Sequence, residues 1–183
     1  NWHPMSFSPR TGLVYIPVQE IPFVYKPDDR FAFEPGLWNT GVPIEAASLP
    51  EDPAAAAEVL KLVQGHLVAW DPVARKEAWR VEQGAPFNGG VLSTAGDLVF
   101  QGNATGEFAA YHAASGARLW SFPTQTGVIA PPVTYSINGV QYVALLAGWG
   151  GIWSLAPGGV LSEKPGPIAN ISRLLVFRLD GKA

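Results

Sequence analysis

Two stretches decide the fold: Gly65-His66-Leu67-Val68-Ala69-Trp70-Asp71-Pro72-Val73-Ala74-Arg75-Lys76-Glu77-Ala78-Trp79 and Gly106-Glu107-Phe108-Ala109-Ala110-Tyr111-His112-Ala113-Ala114-Ser115-Gly116-Ala117-Arg118-Leu119-Trp120. They overlay without a gap, glycine 65 on glycine 106 and tryptophan 79 on tryptophan 120, a separation of 41 residues at both ends. Each copy alternates small or apolar residues, turns, and ends a second strand on tryptophan, the pattern of two antiparallel strands in one sheet. Gly116 at the turn can take φ > 0 without steric penalty. Arg75 stands at that place in the first copy, so a different turn is expected there.

The grammar continues on both sides. Gly90 to Thr94 and Leu98 to Gln101, separated by Ala95-Gly96-Asp97, read as a hairpin, so a four-stranded unit spans 90–122. Downstream, Val133 to Ser136 and Val140 to Leu146 flank Asn138-Gly139, the strongest short hairpin signal. Upstream, His3 to Phe7 and Leu13 to Ile16 flank a turn at 8–12 and supply the first hairpin of an earlier unit, completed by Leu67 to Trp70 and Ala78 to Glu82. The last unit is expected to finish with Ile152 to Leu155 and Arg173 to Leu179. Four strands at a period of this size is the signature of propeller blades. The expected fold is therefore all-β: a partial β-propeller of about three four-stranded antiparallel blades with one short surface helix.

The helix belongs to a long insertion, residues 19–64, inside the first blade. Asp52 can N-cap, Pro53 suits the first helical position, Ala56, Val59, Leu60 and Val63 share a face, and Gly65 follows, which predicts a helix over 53–63. Before it, Phe23, Tyr25, Phe31, Phe33 and Trp38 stand among prolines and charges. They are expected to pack as an aromatic lid over a propeller face or against a neighbouring domain.

Composition agrees and excludes several functions. Hydrophobic residues make up 48% of the 183, charged residues 15%, and 20 Gly with 17 Pro break every apolar run, which fits many short strands. No run approaches the roughly 20 residues of a membrane span. The net charge of -3 comes with no basic cluster, against nucleic-acid binding. With no cysteine there is no disulfide, thiolate nucleophile or Cys-ligated zinc. The start at Asn1, with the single methionine at Met5, reads as an excised or processed piece of a longer protein.

Longer runs carry a resemblance. Ala69, Asp71, Lys76 and Trp79, and less fully Ala110, Gly116 and Trp120, match a tryptophan docking motif, with Arg75 in place of Gly and His112 in place of Asp. The runs 1–9, Pro86 to Gly90 and Ala147 to Gly151 complete the match. Together they resemble the pyrroloquinoline quinone (PQQ)-dependent alcohol dehydrogenases, above all the quinohaemoprotein group, over essentially the whole chain. The resemblance implies the C-terminal portion of an eight-bladed propeller, with blades at about 1–82 (insertion 19–64), 86–122 and 131–179. It implies a parent that oxidises primary alcohols to aldehydes in the bacterial periplasm, with PQQ and Ca²⁺ on the propeller axis and electrons passing to a cytochrome c acceptor. A haem c domain would follow near Lys182, the alternative being a parent that never had one. The catalytic Asp, the calcium ligands and the vicinal cysteines of the family precede the matched region.

For this chain the resemblance implies cofactor contacts at Asn1 and Trp2, with Asn88, Gly151 and Ile152 behind them. No catalytic residue, no metal ligand and no bound cofactor is expected in the isolated chain, which should be inactive. Its partners are the remaining blades, and open sheet flanks could drive self-association. The histidines at 3, 66 and 112 have no metal-ligand spacing and no partnered Cys or carboxylate, so a structural or solvated role is expected. Asp28-Asp29 and Glu51-Asp52 read as turn and cap residues. The alternative from another class is a non-catalytic propeller module for binding or assembly, which would use the same docking tryptophans.

Overall fold

A computed structural model describes residues 3–22, 25–37, 39–43, 48–150, 169–179 and 181. Its strands form three antiparallel meanders. The first runs β1 (Ser6–Ser8), β2 (Leu13–Glu20), β3 (Gln64–Asp71), β4 (Lys76–Gln83), and the second β5 (Val91–Ser93), β6 (Leu98–Gly102), β7 (Glu107–His112), β8 (Arg118–Pro123). The third contains β9 (Val133–Ile137), β10 (Val140–Ala147) and β11 (Arg173–Arg178). Within each sheet spatial order follows chain order; tight turns join most neighbours, while residues 21–63 connect β2 to β3 and 148–172 connect β10 to β11.

Those turns follow from local chemistry. Asn138 (φ 50) and Gly139 (φ 78) both adopt the left-handed conformation that a tight hairpin demands. The expectation of a different turn at Arg75 is corrected: Arg75 takes φ 55, beside φ 71 at Gly116. A side chain costs roughly 1–2 kcal/mol in this region. Asp71 offsets it, because its Oδ1 accepts the N–H groups of Val73 (2.9 Å) and Ala74 (2.8 Å). His112 offers no such carboxylate, and there glycine occupies the turn. The repeat extends to a register shift at the same place in both sheets, Ala69/Trp70 and Ala110/Tyr111.

Stacking of the sheets makes two cores. Leu13, Tyr15, Leu67 and Ala69 of the first sheet meet Val91, Val99, Ala109, Tyr111 and Ala113 of the second, with Trp79 and Val81 packed against them. Phe108 and Val128 meet Leu145 and Ala147 of the third, with Phe100, Val143, Leu175 and Phe177 alongside. Strand alternation divides β7 between them, Ala109 and Tyr111 to one side and Phe108 to the other. The shortest strands converge: the Val91 N–H donates to Pro4 O (2.9 Å), the Ser93 hydroxyl to Phe7 O (3.2 Å), and a Cβ at Gly90 would press on both Pro4 and Pro131. The leading edges of β1, β5 and β9 thus meet, as blades do around an axis.

The third sheet differs from expectation in one respect. β11 pairs directly with β10, from Tyr142↔Arg178 to Ala147↔Arg173, so Arg173–Arg178 takes the third place that had been given to Ile152 to Leu155. Those four residues lie outside the described ones. The helix α1 spans Pro53–Leu62, with Asp52 accepting the Ala55 N–H (2.8 Å), as predicted. Tyr25, Phe31 and Phe33 are solvent-exposed, Tyr25 at 79%, so the described part of the expected lid covers no face of this chain. Asp28 serves its turn through Arg30 N (2.9 Å), while Asn39 joins Glu34 and Leu37.

Candidate functional site

The connections into β5 and β9 and the end of β10 lie together at one rim of the stacked sheets. A pocket of about 430 Å³ opens there, lined by Phe87, Ile129, Ala130, Leu146, Ala147, Gly148, Trp149, Gly150, Ser172 and Arg173. Phe87 and Ile129 each stand four residues ahead of an edge strand, β5 beginning at Val91 and β9 at Val133. The same offset before β1 at Ser6 is Trp2. Asn1, Trp2, Gly151 and Ile152, four of the five expected contacts, lie outside the described residues.

Asn88 is described and is buried. Its Nδ2 donates to Ala85 O (2.8 Å) and its Oδ1 accepts the Ala104 N–H (3.1 Å). The residue lies on Gly65, where a Cβ would contact Asn88 Nδ2 at 2.5 Å. It staples the 85–90 loop to the β6–β7 turn. A buried amide left unpaired is costly, so these bonds hold the loop in one place.

Three further amides extend the staple, and the sequence reading missed them. Gln101 Nε2 donates to Gly89 O (2.9 Å) while its Oε1 accepts from Gln83 Nε2 (3.1 Å), and Asn103 Nδ2 donates to Gln83 Oε1 (3.2 Å). Gln101 and Asn103 are buried. The available signal was their polarity inside otherwise apolar strands and turns. A connected buried network of this kind rigidifies whatever backbone it holds.

His3 stands beside this loop, its ring edge-on to Phe87 at 5.3 Å. Gln19 Nε2 donates to its Nδ1 (2.9 Å), which places the neutral ring proton on Nε2. Burial lowers its pKa below the usual histidine range, so the ring is neutral at pH 7. His66 corrects the expectation of no partnered carboxylate: Nε2 lies 3.1 Å from Glu20 and Nδ1 2.7 Å from Glu82. Strand pairing brings in those partners from 46 and 16 residues away. Among the described residues, no group of three or more ligating side chains that could hold a metal is present.

Known proteins resemble this chain. Residues 57–143 match the family described as glucose/ethanol/alcohol dehydrogenase, beta-propeller domain. Over its full length the chain is 48% identical to the dehydrogenase subunit of an alcohol dehydrogenase (quinone) from Gluconacetobacter polyoxogenes. It is 50% identical to a quinohemoprotein alcohol dehydrogenase, ADH IIB, from Pseudomonas putida. Over its full length this chain is thus similar to quinone and quinohemoprotein alcohol dehydrogenases. It spans about a quarter of the length of those curated relatives, 25% of each.

Solved structures match over all or nearly all of the chain. The quinohemoprotein alcohol dehydrogenase from Comamonas testosteroni matches with a TM-score of 0.80 and 42% identity, over 100% of this chain and 26% of that one. A europium-containing methanol dehydrogenase matches with a TM-score of 0.78 and 25% identity, over 98% of this chain and 33% of that one. Among the described residues no helix is long and apolar enough to cross a membrane.

Proposed function

We propose that this chain is the C-terminal portion of the eight-bladed propeller of an alcohol dehydrogenase that oxidises primary alcohols to aldehydes and passes the electrons to a cytochrome in the bacterial periplasm. Ca²⁺ beside the quinone, and a haem c in a following domain, belong to the same reading. The observation that carries it is the 48–50% identity, over the entire chain, to enzymes named as quinone and quinohemoprotein alcohol dehydrogenases.

The residues present fit PQQ. A flat conjugated ring system needs apolar walls and close backbone approach, and the rim offers Phe87, Ile129 and Trp149 beside Gly148, whose φ of +127 excludes ordinary side chains. When bound, PQQ supplies the two-electron chemistry. The protein's part here is to hold and orient. The amides of Gln83, Gln101, Asn103 and Asn88 fix the loop that carries Phe87, and the neutral ring of His3 buttresses it. Asn1, Trp2, Gly151 and Ile152 contact the cofactor edge in this reading, and Asn88 supports them from within the rim. The 183 residues form one wall only, so the isolated chain turns nothing over.

Reconstituting the full-length parent with PQQ and Ca²⁺ tests the assignment. Dye reduction that depends on a primary alcohol is expected. Its absence, with the protein folded, would leave a non-catalytic propeller module for binding or assembly as the function.

A further inference from the structure

We propose that Gly127 and Asn170 are positioning residues that set Trp149 as a wall of the pocket, and so determine how tightly the cofactor is held. The inference rests on the PQQ reading above. A Cβ at Gly127 would overlap the Trp149 indole, at Nε1 and Cδ1. The backbone of Gly127 does not have a positive φ, so its conformation does not call for glycine; the indole lying on it does.

The backbone of Trp149 is held as firmly as its ring. Its N–H donates to Asn170 Oδ1 (2.8 Å), and Asn170 Nδ2 donates to Trp149 O (3.4 Å). The Gly148 N–H donates to Gly127 O (2.8 Å), and the Ile171 N–H to Thr126 Oγ1 (3.2 Å). Four hydrogen bonds and one seated ring thus join segments 126–127, 148–149 and 170–171. Trp149 lines the pocket, whereas Gly127 and Asn170 do not. They act on a ligand only through Trp149.

The test uses the full-length apoenzyme and free PQQ. Gly127→Ala and Asn170→Ala should each weaken PQQ binding on the order of tenfold, read by titration of the protein's fluorescence, because an ångström-scale displacement of a packed wall has effects of at least that size. Acrylamide quenching of the PQQ-free protein, taken as the difference from Trp149→Phe, should show the indole more accessible in both variants. Should Gly127→Ala fail to fold, Asn170→Ala carries the test. A displaced indole with unchanged PQQ affinity, or an indole still in its seat, overturns the inference. Failure of the unmutated protein to bind PQQ overturns the functional reading instead, while the quenching comparison still reports on the seat.

Discussion

The two junctions between sheets use the same tryptophan at the same repeat position in different ways. At the first, Trp79 crosses from the outer strand β4, donates its indole N–H to Ala113 O (3.0 Å) and lies against Gly116, where a Cβ would approach its ring at 2.6 Å. At the second, Trp120 joins a cluster of rings, edge-on to Phe177 at 5.3 Å and to Phe108 at 5.9 Å, with Phe122 also against Phe177 at 5.1 Å. The neighbour dictates the mode. A turn offering a bare glycine and a carbonyl that also accepts the Tyr15 hydroxyl (3.1 Å) takes a polar dock, and a strand presenting phenylalanine takes an aromatic one.

Substitution can break the contrast. Trp79→Ala should cost about 3 kcal/mol, the lower end for deleting a large aromatic because the ring is only partly buried, in urea unfolding followed by circular dichroism. Trp79→Phe should cost about 1–2 kcal/mol through the lost hydrogen bond and contact, and Trp120→Phe under about 1 kcal/mol. Equal costs for the two phenylalanine variants would erase the distinction between polar and aromatic docking.

The turns beneath the docks should respond next. Gly116→Ala combines a left-handed backbone with intrusion on Trp79 and should lose about 2 kcal/mol. Arg75→Gly, at the matching position, should change stability by at most about 1 kcal/mol, since relief of strain is offset by chain entropy. A larger loss there would mean that the Arg75 side chain itself supports the turn.

At the second junction, a double-mutant cycle between Trp120→Leu and Phe177→Leu should give a coupling of about 0.5–1.5 kcal/mol, and no coupling would show the rings to be mere neighbours. The smallest effect belongs to the Arg10–Asp97 pair that joins the β1–β2 and β5–β6 turns across the first junction, at 2.8 and 3.1 Å. The Arg10 hydrogen bond lowers the Asp97 pKa, so the pair stabilises the fold above the carboxylate's unfolded value and the benefit is lost as pH falls through the lower folded value. Asp97→Asn should flatten the stability profile below about pH 4, and salt should shrink the difference. A profile unchanged by the substitution would remove the pair from the account.

Much of the fold was legible because its determinants are local. The 41-residue offset, the alternation of strands and Asn138-Gly139 act within a few residues, and each sheet is a meander whose neighbours follow along the chain. The Asp52 cap and Pro53 start of α1 are equally short-ranged. Arg75 escaped because its conformation depends on Asp71 replacing glycine's freedom with two hydrogen bonds. The order of the third sheet escaped because nothing local in the sequence tells which later segment lies beside β10, a place that Arg173–Arg178 takes.

The candidate site was legible mainly as a likeness of short runs, since Phe87 of the first and Ala147 to Gly150 of the second line the pocket. The amides that stiffen it come from three separate strands and turns, and nothing in their spacing announces that Gln83, Gln101 and Asn103 will touch. From residues alone follow the strand-and-turn units of the sheets and the likeness to quinone alcohol dehydrogenases. Strand pairing decided that His66 lies between Glu20 and Glu82, and tertiary packing decided that one tryptophan docks on a carbonyl and its repeat partner on rings, and that Trp149 rests on Gly127. Periodicity specifies which face a side chain takes. Which side chains then meet depends on chain segments tens of residues away, whose approach only close packing determines.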